Sequence, residues 1–287
     1  MFGFINVNKP SGMTSHDVVS VLRKIFNIKK IGHTGTLDPM ANGVLPIAVG
    51  DATRLIEYLS DDKEYVAFVK FGISTDTYDK EGSVIFKSDK IVEKSELEKA
   101  LCAFRGEILQ KPPIYSALKR NGKKLYEYAR EGKSVEIEPR KVIIENLELL
   151  SFENNVAELK VKCSKGTYIR CIANDLGDVL SCGGHLIGLT RTVAGDFLLE
   201  DSVTVDDIKS SDNKNSFIKY PLEYFSHLKK VEISEEEWLK VKFGQNFISD
   251  KFTNCNNELI ILIYCNRIVA VTRIIKNKTN LEKVFIK

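Results

Sequence analysis

The sequence is poor in the residue patterns that build metal centres and disulfide frameworks. It has six cysteines and four histidines in 287 residues, and no two cysteines form a CxxC pair. The histidines are scattered along the chain and not grouped with the cysteines. Zinc sites and redox motifs need closely spaced ligands. We therefore expect no metal site, and we expect reduced cysteines that are mostly buried.

Long apolar runs and targeting signals are also missing. The N-terminal stretch MFGFINVNKPSGMTS lacks the basic start, the apolar run and the small-residue cleavage site of a signal peptide. No apolar run is long enough to span a bilayer. The hydrophobic fraction of 43% and the charged fraction of 28% are ordinary for a globular protein. We expect a cytoplasmic protein that does not bind a membrane.

Net charge is small but unevenly distributed. The formal charge of the chain is +3, whereas residues 111–141 contain nine basic and four acidic residues, a net charge of +5. Tyr115, Tyr126 and Tyr128 lie among these charges. Cations neutralise phosphates and aromatic rings stack on unpaired bases, so this segment is a candidate RNA contact. A solvated basic loop above packed tyrosines explains the same pattern, and the segment alone favours neither interpretation.

The glycine-rich stretch Gly32–Gly43, GHTGTLDPMANG, contains a single carboxylate and a single imidazole. Its Gly and Pro residues predict a loop, in which the backbone can approach a ligand closely. Asp38 and His33 are therefore candidates for a reaction site. The competing interpretation is a surface turn that the Asp-Pro pair only shapes, and for such a stretch taken alone this is the commoner case.

Local signals predict alternating strands and helices. Residues 64–72 alternate with period two, which is typical of a strand, and residues 153–155 lie between two strand-like runs as a hairpin turn would. Three helices have candidate N-cap residues. The first candidate N-cap is Thr14, with which Asp17 would complete a capping box. The second is Asp51, for a helix that reaches Leu59, and the third is Ser95, for a helix that reaches about Phe104.

One predicted helix begins with an unusual residue. The segment Ser164–Arg170 leads into a helix whose apolar face includes Ile169, and we expect Tyr168 and Arg170 in the first turn, off that face. An arginine at a helix N-terminus is unfavourable because the helix dipole prefers an anion there. A carboxylate partner would relieve this conflict.

The C-terminal part differs in composition from the rest. The polar segment Asp206–Asn215 is typical of a linker. After it we predict a short helix containing Trp238 and strands at 258–264, 267–275 and 284–286. A small strand-rich unit of this kind predicts a compact β-barrel.

Four segments together resemble the bacterial TruB family of tRNA pseudouridine-55 synthases. They are Gly32–Pro39 (GHTGTLDP), Glu64–Gly72 (EYVAFVKFG), Tyr115–Ala129 (YSALKRNGKKLYEYA) and Cys163–Leu176 (CSKGTYIRCIANDL). The likeness extends from about Phe4 to Ala194 and is weaker beyond. The tail resembles the family's C-terminal PUA domain.

The resemblance implies an α+β fold with two domains. Residues 1–228 would form a pseudouridine synthase catalytic domain with a mixed, mainly antiparallel central sheet and an RNA-gripping insertion at about 111–141. Residues 229–287 would form a small PUA-like β-barrel that binds RNA. The implied reaction converts uridine-55 in the TψC loop of tRNA to pseudouridine without a metal, nucleotide or redox cofactor. We expect tRNA as the partner, no obligate protein partner, and a monomer.

The resemblance also assigns catalytic roles. Asp38 matches the family nucleophile, and the sequence leaves open whether it attacks C1′, attacks C6 or takes a C2′ proton. Tyr65 matches the tyrosine that stacks on the extruded uracil, a core tyrosine being the alternative. Tyr168 matches a candidate for proton transfer at C5, and Arg170 matches the arginine that pairs with the catalytic aspartate.

The remaining implied residues bind the RNA substrate. His33 would occupy the space that the flipped base vacates, Leu189 would contact the base, and Lys9 would hold nearby structure or a phosphate. The candidate contacts to the RNA backbone in the insertion are Lys119, Arg120, Lys123 and Lys124.

Two other functions fit the same motifs. One is a tRNA-binding folding chaperone that needs no chemistry. The other is a guide-RNA-dependent pseudouridine synthase of the archaeal and eukaryotic type. The resemblance implies that this second branch lacks the basic insertion, so residues 111–141 favour the stand-alone enzyme.

Overall fold

The computed structural model describes residues 1–120, 122–133 and 135–286. Asn121 and Ser134 of the predicted insertion and Lys287 of the predicted C-terminal domain lie outside the described residues. The strands are β1 Phe2–Lys9, β2 Ile31–His33, β3 Asn42–Gly50, β4 Lys63–Phe71, β5 Ile73–Thr75, β6 Val84–Lys87, β7 Gly106–Gln110, β8 Lys119–Arg120, β9 Lys123–Lys124, β10 Arg140–Glu153, β11 Val156–Cys163, β12 Gly184–Ala194, β13 Phe197–Leu198, β14 Val203–Thr204, β15 Lys229–Glu232, β16 Leu259–Tyr264, β17 Arg267–Ile275 and β18 Lys278–Val284. The α-helices are α1 Ser15–Phe26, α2 Lys94–Cys102, α3 Leu125–Arg130, α4 Ile169–Val179, α5 Val205–Ser210 and α6 Glu235–Lys242.

One large sheet forms the centre of the molecule. Its main path runs β14-β1-β3-β12-β4-β11-β10-β7, with β2 paired to β3 and β13 paired to β12. The pairs β1–β14 and β3–β12 are parallel, and the remaining pairs of this sheet are antiparallel. The predicted α+β fold with a mixed, mainly antiparallel central sheet is therefore confirmed.

The alternation of side chains along β1 directs them into two different apolar cores, one on each face of the central sheet. Ile5 and Val7 belong to the larger core, which also contains Leu22 of α1. Phe4 points to the other core, where it lies with Phe225 and residues of the C-terminal sheet. Each large apolar side chain contributes about 1.5–3 kcal/mol when it is fully buried. The central sheet is therefore fixed from both faces, and its loops can hold functional groups at set positions.

The C-terminal part is a sheet domain. Its four strands pair in the order β15-β16-β17-β18, with β15 and β16 parallel. Ile248 makes an isolated bridge to Lys278 at the β18 side. Among the described residues these pairings do not close into a ring, so the predicted PUA-like barrel is present as a sheet whose closure is not seen.

The prediction of a linker at Asp206–Asn215 is wrong. Residues from Val205 to Ser210 form α5, which begins at Thr204 with a capping box, and residues Lys214–Phe217 form a 3₁₀ helix. Ile208 is fully buried in the larger core. A two-turn helix needs few apolar residues on its inner face, so its composition resembled that of a loop.

Three other local predictions differ from the structure. Residues Asp51–Tyr58 form a 3₁₀ helix in which Asp51 makes no cap and instead pairs with Lys30 at 2.8 Å. The N-cap of α2 is Glu93 rather than Ser95. The last strand covers Lys278–Val284 instead of 284–286. Side chains and turn residues in neighbouring positions compete for these roles, and packing selects among them. In the part of the chain that is described, none of the helices combines the length and apolarity needed to cross a bilayer.

Candidate active site

The loop that follows β2 is anchored by hydrogen bonds with Lys9 at the end of β1 and with Ser15 at the start of α1. Lys9 is fully buried, and its Nζ donates hydrogen bonds to the carbonyl oxygens of Pro10, Met13 and Pro39 at 2.8, 2.7 and 3.3 Å. The hydroxyl oxygen of Ser15 accepts a hydrogen bond from the Leu37 amide at 2.8 Å. Burial lowers the pKa of Lys9 to about 8. Lys9 therefore holds nearby structure, the first of the two roles expected for it.

The anchored loop presents Asp38 to Arg170. Arg170 Nε lies 2.8 Å from Asp38 Oδ2, and Arg170 Nη2 donates a hydrogen bond to Asp38 Oδ1 at 3.2 Å. The two residues are 132 positions apart in the sequence. The carboxylate partner expected from the helix-dipole argument is thus Asp38. Contrary to expectation, Tyr168 is the N-cap of α4 and not part of its first turn.

Arg170 is enclosed on every side, with only 4% of its surface exposed. Its Nη1 lies 3.3 Å from Asp79 Oδ2 and donates to the Thr77 carbonyl oxygen at 3.0 Å. Its Nη2 also donates to the Tyr115 carbonyl oxygen at 3.1 Å. As predicted, Arg170 lies off the apolar face of α4, which packs into the larger core through Ile169 and Ile172; polar groups of other segments bury it instead. The planar guanidinium reaches two carboxylates at once, an arrangement that suits arginine better than lysine.

The Asp38 carboxylate is reachable and yet electrostatically perturbed. About 30% of its side-chain surface remains exposed, compared with 5% for the Arg170 side chain. Burial raises the pKa of Asp38 above its ordinary value, and Arg170 acts against this shift. A carboxylate that is partly desolvated but paired with a fixed cation is more basic and nucleophilic than one in water.

Asp38 lies in a cleft of about 810 Å³. The cleft is large enough for a nucleoside and some of its neighbours. The predicted catalytic and base-contacting residues that line it are His33, Asp38, Tyr65, Tyr168, Arg170 and Leu189. Six positions from four separate parts of the sequence are therefore brought to one cavity.

Tyr65 serves both the core and the cleft. It is 8% exposed and belongs to the larger core, and it also lines the cavity that contains Asp38. Burial raises the pKa of its hydroxyl, so the ring stays neutral. Tyr65 is therefore a core tyrosine that also reaches the cleft, and its stacking on an extruded uracil stays a prediction.

His33 lies at the mouth of the loop as an uncharged ring. Burial, followed by the nearby charge of Arg191, lowers the pKa of its imidazole. Its Nδ1 is buried and has no hydrogen-bond partner among the residues that the structure describes. A neutral imidazole with a free polar atom can fill space against nucleobases without a charge penalty.

The predicted RNA-backbone residues of the insertion differ in what they contact: some pair within the insertion, and one lines the cleft. Lys124 lines the cleft, whereas Lys123 is paired with Glu131 and lies 4.9 Å from the ring centroid of Tyr128. Arg120 donates to the Glu136 carbonyl oxygen. The structure therefore brings one of the four predicted RNA-backbone residues, Lys124, into the cavity.

Sequence reasoning missed three residues of this site. Asp79 is 5% exposed. Gln110 is 1% exposed beside Tyr168, and Arg191 is 2% exposed among the residues lining the cleft. A buried charged or amide side chain needs a partner, but the sequence carries no signal of burial at these positions.

Solved structures place this fold in a known class. The chain superposes on a structure described as a Cbf5-Nop10-Gar1 complex with a TM-score of 0.76 and 28% identity, over 99% of this chain and 85% of that one. A structure of an H/ACA RNP bound to a substrate RNA containing 2′-deoxyuridine gives a TM-score of 0.76 at 26% identity, over 100% of this chain and 86% of that one. The fold is that of the pseudouridine synthases.

Sequence comparisons identify the family within this class. Residues 23–169 match the model of the TruB family pseudouridylate synthase N-terminal domain, and residues 170–225 match the tRNA pseudouridylate synthase B C-terminal domain. Proteins named tRNA pseudouridine synthase B are 42% identical in Prochlorococcus marinus, over 94% of this chain and 93% of that protein, and 46% identical in Caldanaerobacter subterraneus, over 91% and 90%. The chain therefore belongs to the TruB family of pseudouridylate synthases.

Proposed function

We propose that this protein converts uridine-55 in the TψC loop of tRNA to pseudouridine, with Asp38 as the nucleophile. The observation that carries the proposal is the Asp38–Arg170 pair at 2.8 Å on the wall of a cleft that Tyr65 also lines. Relatives at 42–46% identity over most of the chain are named tRNA pseudouridine synthase B, which supports tRNA as the substrate. As a tRNA-modifying enzyme it would act in the cytoplasm.

The reaction breaks the N1–C1′ bond of one uridine and forms a C5–C1′ bond; the proton on C5 is released and N1 of the turned base takes up a proton from solvent. The target base first leaves its stack, which costs a few kcal/mol. Tyr65 receives the base face and Leu189 contacts it from the neighbouring strand, while His33 fills the vacated space. These contacts hold the detached uracil, so that it can turn within the cavity without escaping.

Asp38 and Tyr168 divide the chemistry between them. A carboxylate that forms a covalent intermediate converts one difficult step into two easier ones. Arg170 keeps the Asp38 carboxylate oriented toward the cleft and opposes the effect of burial on its pKa. Tyr168 lines the same cleft, and its hydroxyl relays the C5 proton to solvent. Every group in this scheme is supplied by the chain itself.

The insertion supplies the grip on the RNA. Lys119, Arg120, Lys123 and Lys124 lie in the β8–β9 hairpin, and Lys124 extends into the cleft. Cations in this position neutralise phosphates and steer the RNA toward the cavity. The C-terminal sheet domain, which we place at residues 229–287 and take as a PUA-like module, would provide a second RNA contact.

The decisive test is Asp38→Asn assayed by tritium release from 5-labelled uridine in a T-loop transcript. We expect the variant to bind tRNA normally and to release no tritium, because the amide cannot act as a nucleophile. Release at the wild-type rate would remove Asp38 from the mechanism. Tritium release by the wild-type protein on bare tRNA also separates this function from a guide-RNA-dependent enzyme, and loss of release with retained binding separates it from a chaperone.

A further inference from the structure

The two ends of the insertion meet at a pair of residues that lie opposite each other on adjacent strands. Gln110 is the last residue of β7 and Arg140 is the first residue of β10, and the two are register partners. We propose that Gln110 and Arg140 act as positioning residues that clamp Tyr168 in the cleft. This inference rests on the proposed function, because it gives Tyr168 a place in that reaction.

Gln110 holds the backbone of Tyr168 at two points. Its Oε1 accepts a hydrogen bond from the Tyr168 amide at 2.7 Å, and its Nε2 donates to the Tyr168 carbonyl oxygen at 3.0 Å. A backbone amide can only donate and a carbonyl can only accept, so both partners fix the orientation of the side-chain amide. Gln110 is 1% exposed. No water competes for these bonds at that degree of burial.

The position of Tyr168 explains why it needs such a clamp. Tyr168 is the N-cap of α4 with extended backbone angles, φ −99° and ψ 108°, and its own side chain makes no capping hydrogen bond. The Tyr168 carbonyl oxygen also accepts a hydrogen bond from the Cys171 amide at 3.1 Å, where α4 begins, whereas the Tyr168 amide precedes the helix and needs a partner outside it. Gln110 therefore pairs the Tyr168 amide and adds a further hydrogen bond to its carbonyl oxygen.

Arg140 restrains the ring of the same residue. Its guanidinium carbon lies 5.0 Å from the centroid of the Tyr168 ring, a distance at which a cation is attracted to the ring face. Arg140 also donates a hydrogen bond to the Gly166 carbonyl oxygen, two residues before Tyr168. The backbone and the ring of Tyr168 are thus held by the two ends of the insertion.

Positioning of this kind matters most for a group that moves a proton. A displacement of about 1 Å can reduce a rate by about 100-fold. The Gln110→Ala variant tests this without changing charge, so contacts with phosphates stay as they were. We expect a loss of about 10- to 100-fold in the single-turnover rate of isomerisation with unchanged tRNA affinity. Arg140→Lys keeps the charge but loses the flat guanidinium, and we expect a smaller loss.

A double variant distinguishes positioning from a general structural effect. If Gln110 acts through the Tyr168 hydroxyl, the Gln110→Ala/Tyr168→Phe protein will react no more slowly than Tyr168→Phe alone. Fully additive losses would overturn the proposal. A wild-type rate in Gln110→Ala would overturn it as well.

Asn155 provides a matched control because it makes an equivalent clamp away from the cleft. Its Oδ1 accepts from the Val92 amide at 3.0 Å, and its Nδ2 donates to the Lys90 carbonyl oxygen at 2.9 Å. Asn155→Ala should lower stability and leave the rate of isomerisation unchanged. An equal loss of rate in this variant would show that any loosened loop slows the enzyme, which would contradict the clamp.

The clamp can also be tested if the proposed function fails. A wild-type protein that converts no uridine would count against the proposed function alone. In that case the fluorine resonance of Tyr168 in 3-fluorotyrosine-labelled protein, assigned by its absence in Tyr168→Phe, reports the environment of the ring. We expect this resonance to shift in Gln110→Ala, and an unchanged resonance would overturn the clamp.

Discussion

Replacing Arg170 with methionine removes the buried cation that joins the partly exposed carboxylate of Asp38 to the buried carboxylate of Asp79. Arg170 contacts Asp38 at 2.8 Å and Asp79 at 3.3 Å, and it also donates to the carbonyl oxygens of Thr77 and Tyr115. The methionine side chain fills a similar volume, so the change removes charge and hydrogen bonds more than packing. Both carboxylates then lose the guanidinium that they share.

The expected cost follows from the burial of this cluster. Removing one partner of a buried ion pair destabilises a protein by about 3–5 kcal/mol. For a protein of this size such a loss lowers the melting temperature by about 6–20 °C. A typical domain has about 5–15 kcal/mol of total stability, so the variant still folds and can be assayed.

The pH dependence gives a second and independent readout. Arg170 opposes the rise in the pKa of Asp38 that burial causes, so its removal raises that pKa further. Because the reaction needs the ionised carboxylate, the acid limb of the rate profile will move to higher pH. An acid whose folded-state pKa lies above its unfolded value gives stability that is present at low pH and is lost as pH rises through the folded pKa. The deficit of Arg170→Met will therefore be smallest in acid and will grow toward neutral pH.

Urea unfolding and tritium release over a range of pH measure these two effects. Lys162→Met is the matched control, since Lys162 pairs with Glu145 at 2.7 Å with both side chains largely in solvent. Exposed pairs of this kind contribute little. If Arg170→Met lost no more stability than Lys162→Met, or if the acid limb did not move, the electrostatic account of the site would be wrong.

Two further predictions concern the insertion and the turn after β1. Replacing Lys119, Arg120, Lys123 and Lys124 together with alanine should weaken tRNA binding and flatten its salt dependence. The rate at which bound RNA is isomerised should change little. Each lost phosphate contact lowers the magnitude of the logarithmic salt slope by about 0.7–0.9. We expect the total change to correspond to about two or three contacts, because Lys123 is already paired with Glu131. Lys9→Met should cost about 1–3 kcal/mol, because it leaves buried carbonyl oxygens without a donor. The pKa of Lys9 is lowered to about 8 in the folded protein, so the stability advantage of the wild type should grow as pH rises above that value and shrink as pH falls through it.

Filter-binding titrations in salt and urea unfolding at two pH values check these predictions. For the insertion, a control with Lys94→Ala and Lys99→Ala in α2 should leave the salt slope as it is. An unchanged slope in the fourfold variant would mean that these cations face solvent in the complex. For Lys9, equal stability differences at pH 7 and pH 9.5 would contradict the assigned shift.

Much of the local structure was determined by neighbouring residues and was visible in the sequence. The capping box at the start of α1 is present, with the Asp17 amide donating to the Thr14 hydroxyl at 3.0 Å. The β10–β11 hairpin turns at Asn154 and Asn155, with φ of 51° and 57°. These features depend on contacts within a few residues, so spacing and residue type are enough to predict them. The resemblance to one family likewise rests on short motifs that can be seen directly in the chain.

The tertiary structure alone decided how those motifs meet. The helix dipole indicated that Arg170 needs a carboxylate, but only folding determined that Asp38 and Asp79 are both within reach. The sequence also gave no sign that Gln110 would hold Tyr168, or that Ile208 would bury a short polar helix against the core. Partner choice and burial depend on distances between residues far apart in the chain. Composition and periodicity do not contain those distances, because they record only the order of the side chains.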